Sequence, residues 1–225
     1  MPEVPDVSGI IGLTVRVAVI STLIVTPLAI ALAAISWRSR LRPLIDAVST
    51  LPIVLPPTAV GFVLLEILSR NAPLGRFLDG VGIDVVFTVR AVVLACVAMS
   101  FPLMFLAARA AIDGSDARLF EIARTLGASP LRAFMTVTLP LAWRGLLAGV
   151  MLAFCRAIGE FGATIMVAGN IPGRTQTLAL AIYDKVNSGH DHDAILLVVY
   201  VVLIAATAIV ASEFLVRNRR RGGAA

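Results

Sequence analysis

Five stretches of roughly 20 almost purely apolar residues, near 10–36, 47–69, 89–110, 142–168 and 194–216, constrain this chain more than any single motif does. A helix rising about 1.5 Å per residue needs about 20 residues to cross about 30 Å of hydrocarbon. Within that layer each helix must satisfy its own backbone N–H and C=O groups. Five such stretches predict five membrane-crossing helices and an all-α fold, that of a polytopic membrane protein. Composition agrees, since 225 residues that are 59% apolar, with mean hydropathy +0.94, carry more hydrocarbon than a soluble core of this size can hide. The formal charge of +5 does not point to nucleic acid, because the basic residues form no aromatic-studded face, and membrane lipid is the expected surrounding. Cys96 and Cys155 each lie inside an apolar stretch and read as buried inert thiols, not as a disulfide or metal ligands. Glu3 and Asp6 stand where a signal peptide would carry basic residues, so the first apolar segment is expected to be retained.

The arginines orient the spans. Arg38, Arg40 and Arg42, then Arg109, Arg118, Arg124, Arg132 and Arg144, then Arg217, Arg219, Arg220 and Arg221 fall at one set of span ends, while Arg70, Arg76, Arg90, Arg174 and Lys185 fall at the other. By the positive-inside rule the first set is cytoplasmic, which puts the N-terminus outside and the C-terminus inside. The second span contains Pro52, Pro56 and Pro57 in LPIVLPPTAVG. Proline removes a backbone donor, so this is either a packing kink or a broken helix lining a pathway.

Between spans three and four lies a polar segment, about 113–141, that includes EIARTLGASPLRAFMTVTLP. Leu119, Ile122, Ala123 and Leu126 recur at helical spacing and predict a short amphipathic helix from about Ser115. Gly127 suits a left-handed helix terminus, and Ser129-Pro130 opens a second short helix, giving a compact knob. On pattern alone such a knob could equally lie on lipid headgroups. The segment resembles the EAA loop of ABC-importer permeases in Glu121, Ala123, Gly127, Leu139 and Pro140, with Ala128 and Phe134 also fitting and Ile122 standing where alanine is usual. The resemblance implies one importer transmembrane domain over 1–225, whose loop couples it to a cytoplasmic ABC ATPase dimer. ATP and Mg would be held by that ATPase, and this chain would bind no cofactor. In keeping with that, the chain has no GxxxxGK[ST] phosphate loop and no Ser/His/Asp or Cys/His constellation, so no catalytic residue is expected. His190-Asp191-His192-Asp193 reads as a solvated loop, not a metal site.

The fourth span repeats a small residue at Gly145, Gly149, Ala153 and Ala157, a stripe that lets another helix approach closely. Arg156 and Glu160 project in the same sector at i,i+4. Arg156 lies about 18 Å along the axis from Arg144, near mid-membrane, where a charge costs about 2.5–3.5 kcal/mol to insert. Either the pair neutralises itself and ties helices together, or it lines or gates a translocation path. After it, in RAIGEFGATIMVAGNIPGRTQTLALAIYD, Gly159, Gly162, Gly169 and Gly173 with Pro172 show the span ending in a tight external turn. This string and LPIVLPPTAVGF resemble the molybdate permeases, with tungstate and sulfate permeases as near relatives. That resemblance covers nearly the whole chain. It implies a multi-pass inner-membrane permease that forms a homodimer and imports molybdate at the expense of ATP. It also implies a periplasmic or lipid-anchored molybdate-binding protein that meets the outer turn at Asn170, Pro172, Gly173, Arg174 and Thr175. An ATPase-independent channel or carrier would be expected to show more intramembrane acids or an inverted repeat, and neither is seen.

Overall fold

The structure, a computed structural model, describes residues 7–222, with side chains as far as Ala211 and at Phe214. Glu3, Asp6 and the side chains of Arg217, Arg219, Arg220 and Arg221, used above, lie outside the described residues. Every regular element among the described residues is helical: α1 (Val7–Trp37), α2 (Arg42–Val54), α3 (Pro57–Leu68), α4 (Pro73–Gly80), α5 (Val89–Asp113), α6 (Ala117–Thr125), α7 (Pro130–Ala133), a π-helical turn (Phe134–Thr138), α8 (Leu139–Ile158), α9 (Gly162–Ala168), α10 (Leu178–Asn187) and α11 (Asp191–Gly222). The all-α expectation holds. Four helices are long and apolar enough to cross a membrane, and the bent pair α2–α3 makes a fifth if it counts as one span.

Two spans differ from their sequence outline, both because of proline or glycine. The second is a broken helix, not a kinked one: α2 and α3 meet at 108°. Leu55 precedes Pro56 and Pro56 precedes Pro57, and a residue before proline is forced out of the helical region. Both are extended, with ψ 141 and ψ 134. The bent pair still carries the chain from one end of α5 to the other. Arg42, at the start of α2, pairs with Asp113 at the end of α5, whereas Arg70, beyond α3, bonds Asp84 just ahead of Val89 at 2.9 Å.

The fourth span was expected as one helix over 142–168. Instead it begins at Pro130 and ends at Ile158, and α9 is a separate short helix. The helix runs through Pro140 instead of starting there. The Pro140 nitrogen has no proton and its ring would crowd the carbonyl one turn back. The π turn widens the coil there, and the Leu139 N–H reaches back five residues to the Phe134 carbonyl. The second short helix expected of the knob therefore runs on into the span.

Packing centres on α1, α5 and α8. Val25, Ala29 and Ala33 meet Met104, Phe105, Ala108 and Ile112, with Ala142, Leu146 and Ala153 closing the cluster. The small-residue stripe of α8 is used within the chain, because a Cβ on Gly145 or Gly149 would come within 2.6 or 2.7 Å of the Ala111 or Ala107 methyl of α5. The two breaks also face each other. A Cβ on Gly61 would lie 2.6 Å from the Ala163 carbonyl oxygen, and one on Gly162 would lie 2.7 Å from the Pro57 ring.

Candidate functional site

Three places assemble the residues singled out in the sequence. The first is the knob at the Asp113 end of α5. Asp116 accepts the Arg118 N–H at 2.9 Å and starts α6. Gly127 ends it with φ +88. The Ala128 N–H bonds the Ala123 carbonyl at 3.0 Å and the Gly127 N–H bonds the Arg124 carbonyl at 3.1 Å, the paired bonds of a left-handed helix terminus. Nothing lies within 4 Å of a Cβ placed on Gly127, so backbone conformation and not space demands glycine. Ser129 then accepts the Arg132 N–H at 3.2 Å with Pro130 in the first turn. Leu139 and Pro140 sit beyond the π turn, at the start of α8.

The knob is fastened to the end of α1. Trp37 and Phe120 meet edge to face at 5.2 Å. The Arg38 guanidinium lies 4.6 Å above the Phe120 ring and pairs with Glu121. Sequence reasoning missed Trp37 and Phe120 and used Arg38 only to orient the spans; an aromatic–arginine step at a span end was the available signal. Next to the knob, Arg109 pairs with Asp46 while Arg42 pairs with Asp113, clamping α2 to α5. Of the residues in α6 only Phe120 is buried. The stripe of Leu119, Ile122 and Leu126 stays open, with Leu126 83% exposed, and Leu131 and Met135 beside it are open too.

The second place is the break between α8 and α9. Glu160 is not on α8, as the sequence reading had it, because that helix ends at Ile158. It nevertheless meets Arg156, with Nη1 and Oε2 2.6 Å apart. Its other oxygen accepts the Ala163 N–H at 2.7 Å. Glu160 is 1% exposed and joins α8 to the first turn of α9, where a carboxylate also suits the free N–H groups. Arg156 is partly open.

The third place is the turn after α9, at the end away from the knob. Gly169 and Gly173 take φ +67 and +71, and the N–H groups of Arg174, Thr175 and Gln176 converge on the Ile171 carbonyl. Pro172, Gly173 and Arg174 are exposed, and Asn170 is partly so. Thr175 corrects the sequence reading: it is 0% exposed and serves as a strut, donating to the Gly169 carbonyl at 3.2 Å and accepting the Ile171 N–H at 3.1 Å. It is therefore not a contact surface. Among the described residues no group of three or more His, Cys, Asp or Glu side chains could hold a metal ion.

Comparison with known proteins adds to this geometry. Residues 25–221 match the family described as "Binding-protein-dependent transport system inner membrane component". The chain is 44% identical over 185 residues to the molybdenum transport system permease protein ModB of Escherichia coli K12, covering 81% of each chain. It is 38% identical over 215 residues to ModB of Haemophilus influenzae, covering 94% of each. Among solved structures it resembles a chain of the MetNI methionine ABC transporter in inward-facing conformations, with TM-score 0.72 at 16% identity over 92% of each chain. It also resembles a chain of a bacterial ABC transporter that imports the acidic polysaccharide alginate, with TM-score 0.75 at 16% identity over 93% of this chain and 78% of that one. At such identities these two likenesses speak for the fold alone.

Proposed function

Because the chain belongs to the family of binding-protein-dependent inner-membrane transport components, we propose that it is the permease of an ATP-driven importer of molybdate. It is a multi-pass inner-membrane protein. The single observation carrying the cargo is its 44% and 38% identity, over most of both chains, to ModB permeases. Tungstate and sulfate, as tetrahedral dianions, are the competing cargoes.

The knob is the handle of a separate ATPase dimer, which holds the ATP and Mg. Glu121 and Ala123 on α6, the bend at Gly127 and Ala128, and Leu139 and Pro140 where α8 begins form its working parts. Leu126, Leu131 and Met135 are apolar and open, as an element seated in another protein's cleft needs to be. The knob is also stiff. A helix continuous from Pro130 to Ile158 is about 44 Å long at about 1.5 Å per residue, so a displacement at Ser129 is carried along a lever to Arg156 and the break. Trp37 and Phe120 pass the same displacement to α1.

In this reading the knob end is cytoplasmic, the N-terminus lies outside, and two copies pair so that each offers one knob to one ATPase subunit. A periplasmic or lipid-anchored binding protein docks on the opposite end at Pro172, Gly173 and Arg174, with Asn170 at its edge. Arg156 and Glu160 are a tie between helices rather than the cargo site, because Glu160 already spends both oxygens on its own chain.

The test is uptake by proteoliposomes holding the permease, its ATPase and its binding protein. ATP-dependent molybdate uptake is expected, with tungstate and sulfate weaker as competitors at the binding protein. Uptake without the ATPase would reject the importer reading, and stronger competition by sulfate would reassign the cargo.

A further inference from the structure

At the end of the molecule away from the knob, a cavity of about 880 Å³ opens between α1, the turn before α10, and α11. We propose that this cavity is a binding site for a tetrahedral oxyanion, held by the guanidinium groups of Arg16 and Arg174 and the side-chain amide of Gln176.

Charge is the first reason. Among the described residues, Arg16, Arg174 and Lys185 line the cavity, against Asp184 as the single lining carboxylate. Lys185 is already committed, with its ammonium 3.0 Å from Asp193. Among the described residues no carboxylate pairs with Arg16 or Arg174, although both are strong fork-shaped donors suited to oxyanions. Two cations without a carboxylate partner among the described residues, sharing one cavity, raise the potential where an anion would sit.

Burial is the second reason. Gln176 is only 7% exposed and lines the cavity, so its side chain is held in the wall rather than in open solvent. It also directly precedes Thr177, the N-cap of α10, and the first turn of that helix carries no acidic residue.

The walls are fixed in place. The Leu178 N–H, at the start of α10, donates to the Thr14 hydroxyl of α1 at 2.9 Å, and that hydroxyl donates to the Ile10 carbonyl at 2.8 Å. Arg16 lies two residues beyond one end of this bond and Gln176 two residues before the other, so the donors from α1 and from the turn share one frame. On the turn side, Thr175 and the Ile171 carbonyl hold the backbone that presents Arg174.

Two sources offer this chemistry: a free dianion arriving at the mouth, or the phosphate of a phospholipid headgroup. The cargo source rests on the permease reading above; the site does not. The experiment uses the complex of permease and ATPase, without binding protein, in phospholipid-free detergent and in nanodiscs. It measures saturable retention of radiolabelled molybdate, sulfate and phosphate, and co-purifying phospholipid by mass spectrometry. One oxyanion per permease chain is expected, weakened about tenfold or more in Arg16→Gln and in Arg174→Gln, unchanged in Arg76→Gln, and tightened in Asp184→Asn. If free anions do not bind but one anionic phospholipid per chain is retained and then lost in the two arginine variants, the site stands with the headgroup as its occupant. No saturable anion together with unaltered lipid retention overturns the proposal, as does binding indifferent to both arginine variants. The two readings fail separately: complexes that take up molybdate with ATP but bind nothing here lose only the site, and complexes that bind an oxyanion here but import no molybdate lose only the permease reading.

Discussion

The bend at Gly127 and the bend at Glu160 each end one helix and begin another, but they are built in opposite ways. At Gly127 the parts are local. A left-handed glycine, a serine cap and a proline stand within four residues, and no neighbour crowds the glycine. At Glu160 the parts come from afar. Gly61 and Pro57 of the second span press on Ala163 and Gly162, and a buried carboxylate bridges the gap. A locally built, open bend can be gripped and moved without disturbing the core. A bend held by tertiary contact moves only if the core moves with it. Variants at the Glu160 bend should therefore damage assembly, and variants at the Gly127 bend should damage coupling while leaving the fold intact.

The largest effect is expected at Glu160. Glu160→Ala removes the acceptor of the Ala163 N–H and leaves Arg156 without its partner; with Glu160 buried and Arg156 partly open, the loss lies toward the low end of the about 3–5 kcal/mol that breaking a buried pair costs. The purified yield and melting temperature of the detergent-solubilised complex should fall sharply. The double variant Arg156→Met with Glu160→Gln should recover part of the loss, since no charge is then stranded. A complex as stable as wild type after Glu160→Ala would erase the contrast between the bends.

Next is Gly61→Val. Its Cβ would lie 2.6 Å from the Ala163 carbonyl oxygen, and overpacking of this kind costs about 1–3 kcal/mol. Lower thermal stability is expected together with lost uptake. At the other bend, Gly127→Val meets no clash but must hold φ +88, a strain of about 1–2 kcal/mol for a residue with a Cβ. The complex should keep its melting temperature within a few degrees. Uptake should fall several-fold per ATP hydrolysed. If Gly127→Val instead unfolds the complex, the knob is part of the core and not a handle.

The same difference governs what could be read from the residues alone. Gly127, Ser129 and Pro130 announce a helix end and a helix start because caps are short-range chemistry, and the structure places both there. Five apolar stretches announce the fold because hydrocarbon thickness sets their length. The end of α8 was illegible, since nothing in RAIGEFGAT says that Gly162 will meet Pro57 from another span. Thr175 is counted with the outer turn through the family resemblance, and its bonds to Gly169 and Ile171, which the sequence does not show, hold it inside. The Arg109–Asp46 and Arg42–Asp113 pairs were equally hidden, each joining residues more than sixty positions apart. The π turn is hidden as well, although Leu139-Pro140, beside which it forms, stands plainly in the sequence.

The smallest effect is expected where the knob is tied to α1, and it sharpens what kind of handle this is. Arg38 and Glu121 are about half exposed, at 54% and 55%. Open ion pairs contribute about 0–1 kcal/mol and weaken with salt. Arg38→Gln should leave the melting temperature and the uptake rate near wild type, and any small loss should vanish at high ionic strength. Phe120→Ala is the informative partner, because it deletes a buried ring packed on Trp37 while leaving the ion pair in place. It should uncouple uptake from hydrolysis more strongly than Arg38→Gln does. The reverse order would mean that the charge on Glu121, and not the aromatic seat beneath it, transmits movement from the knob to the first span.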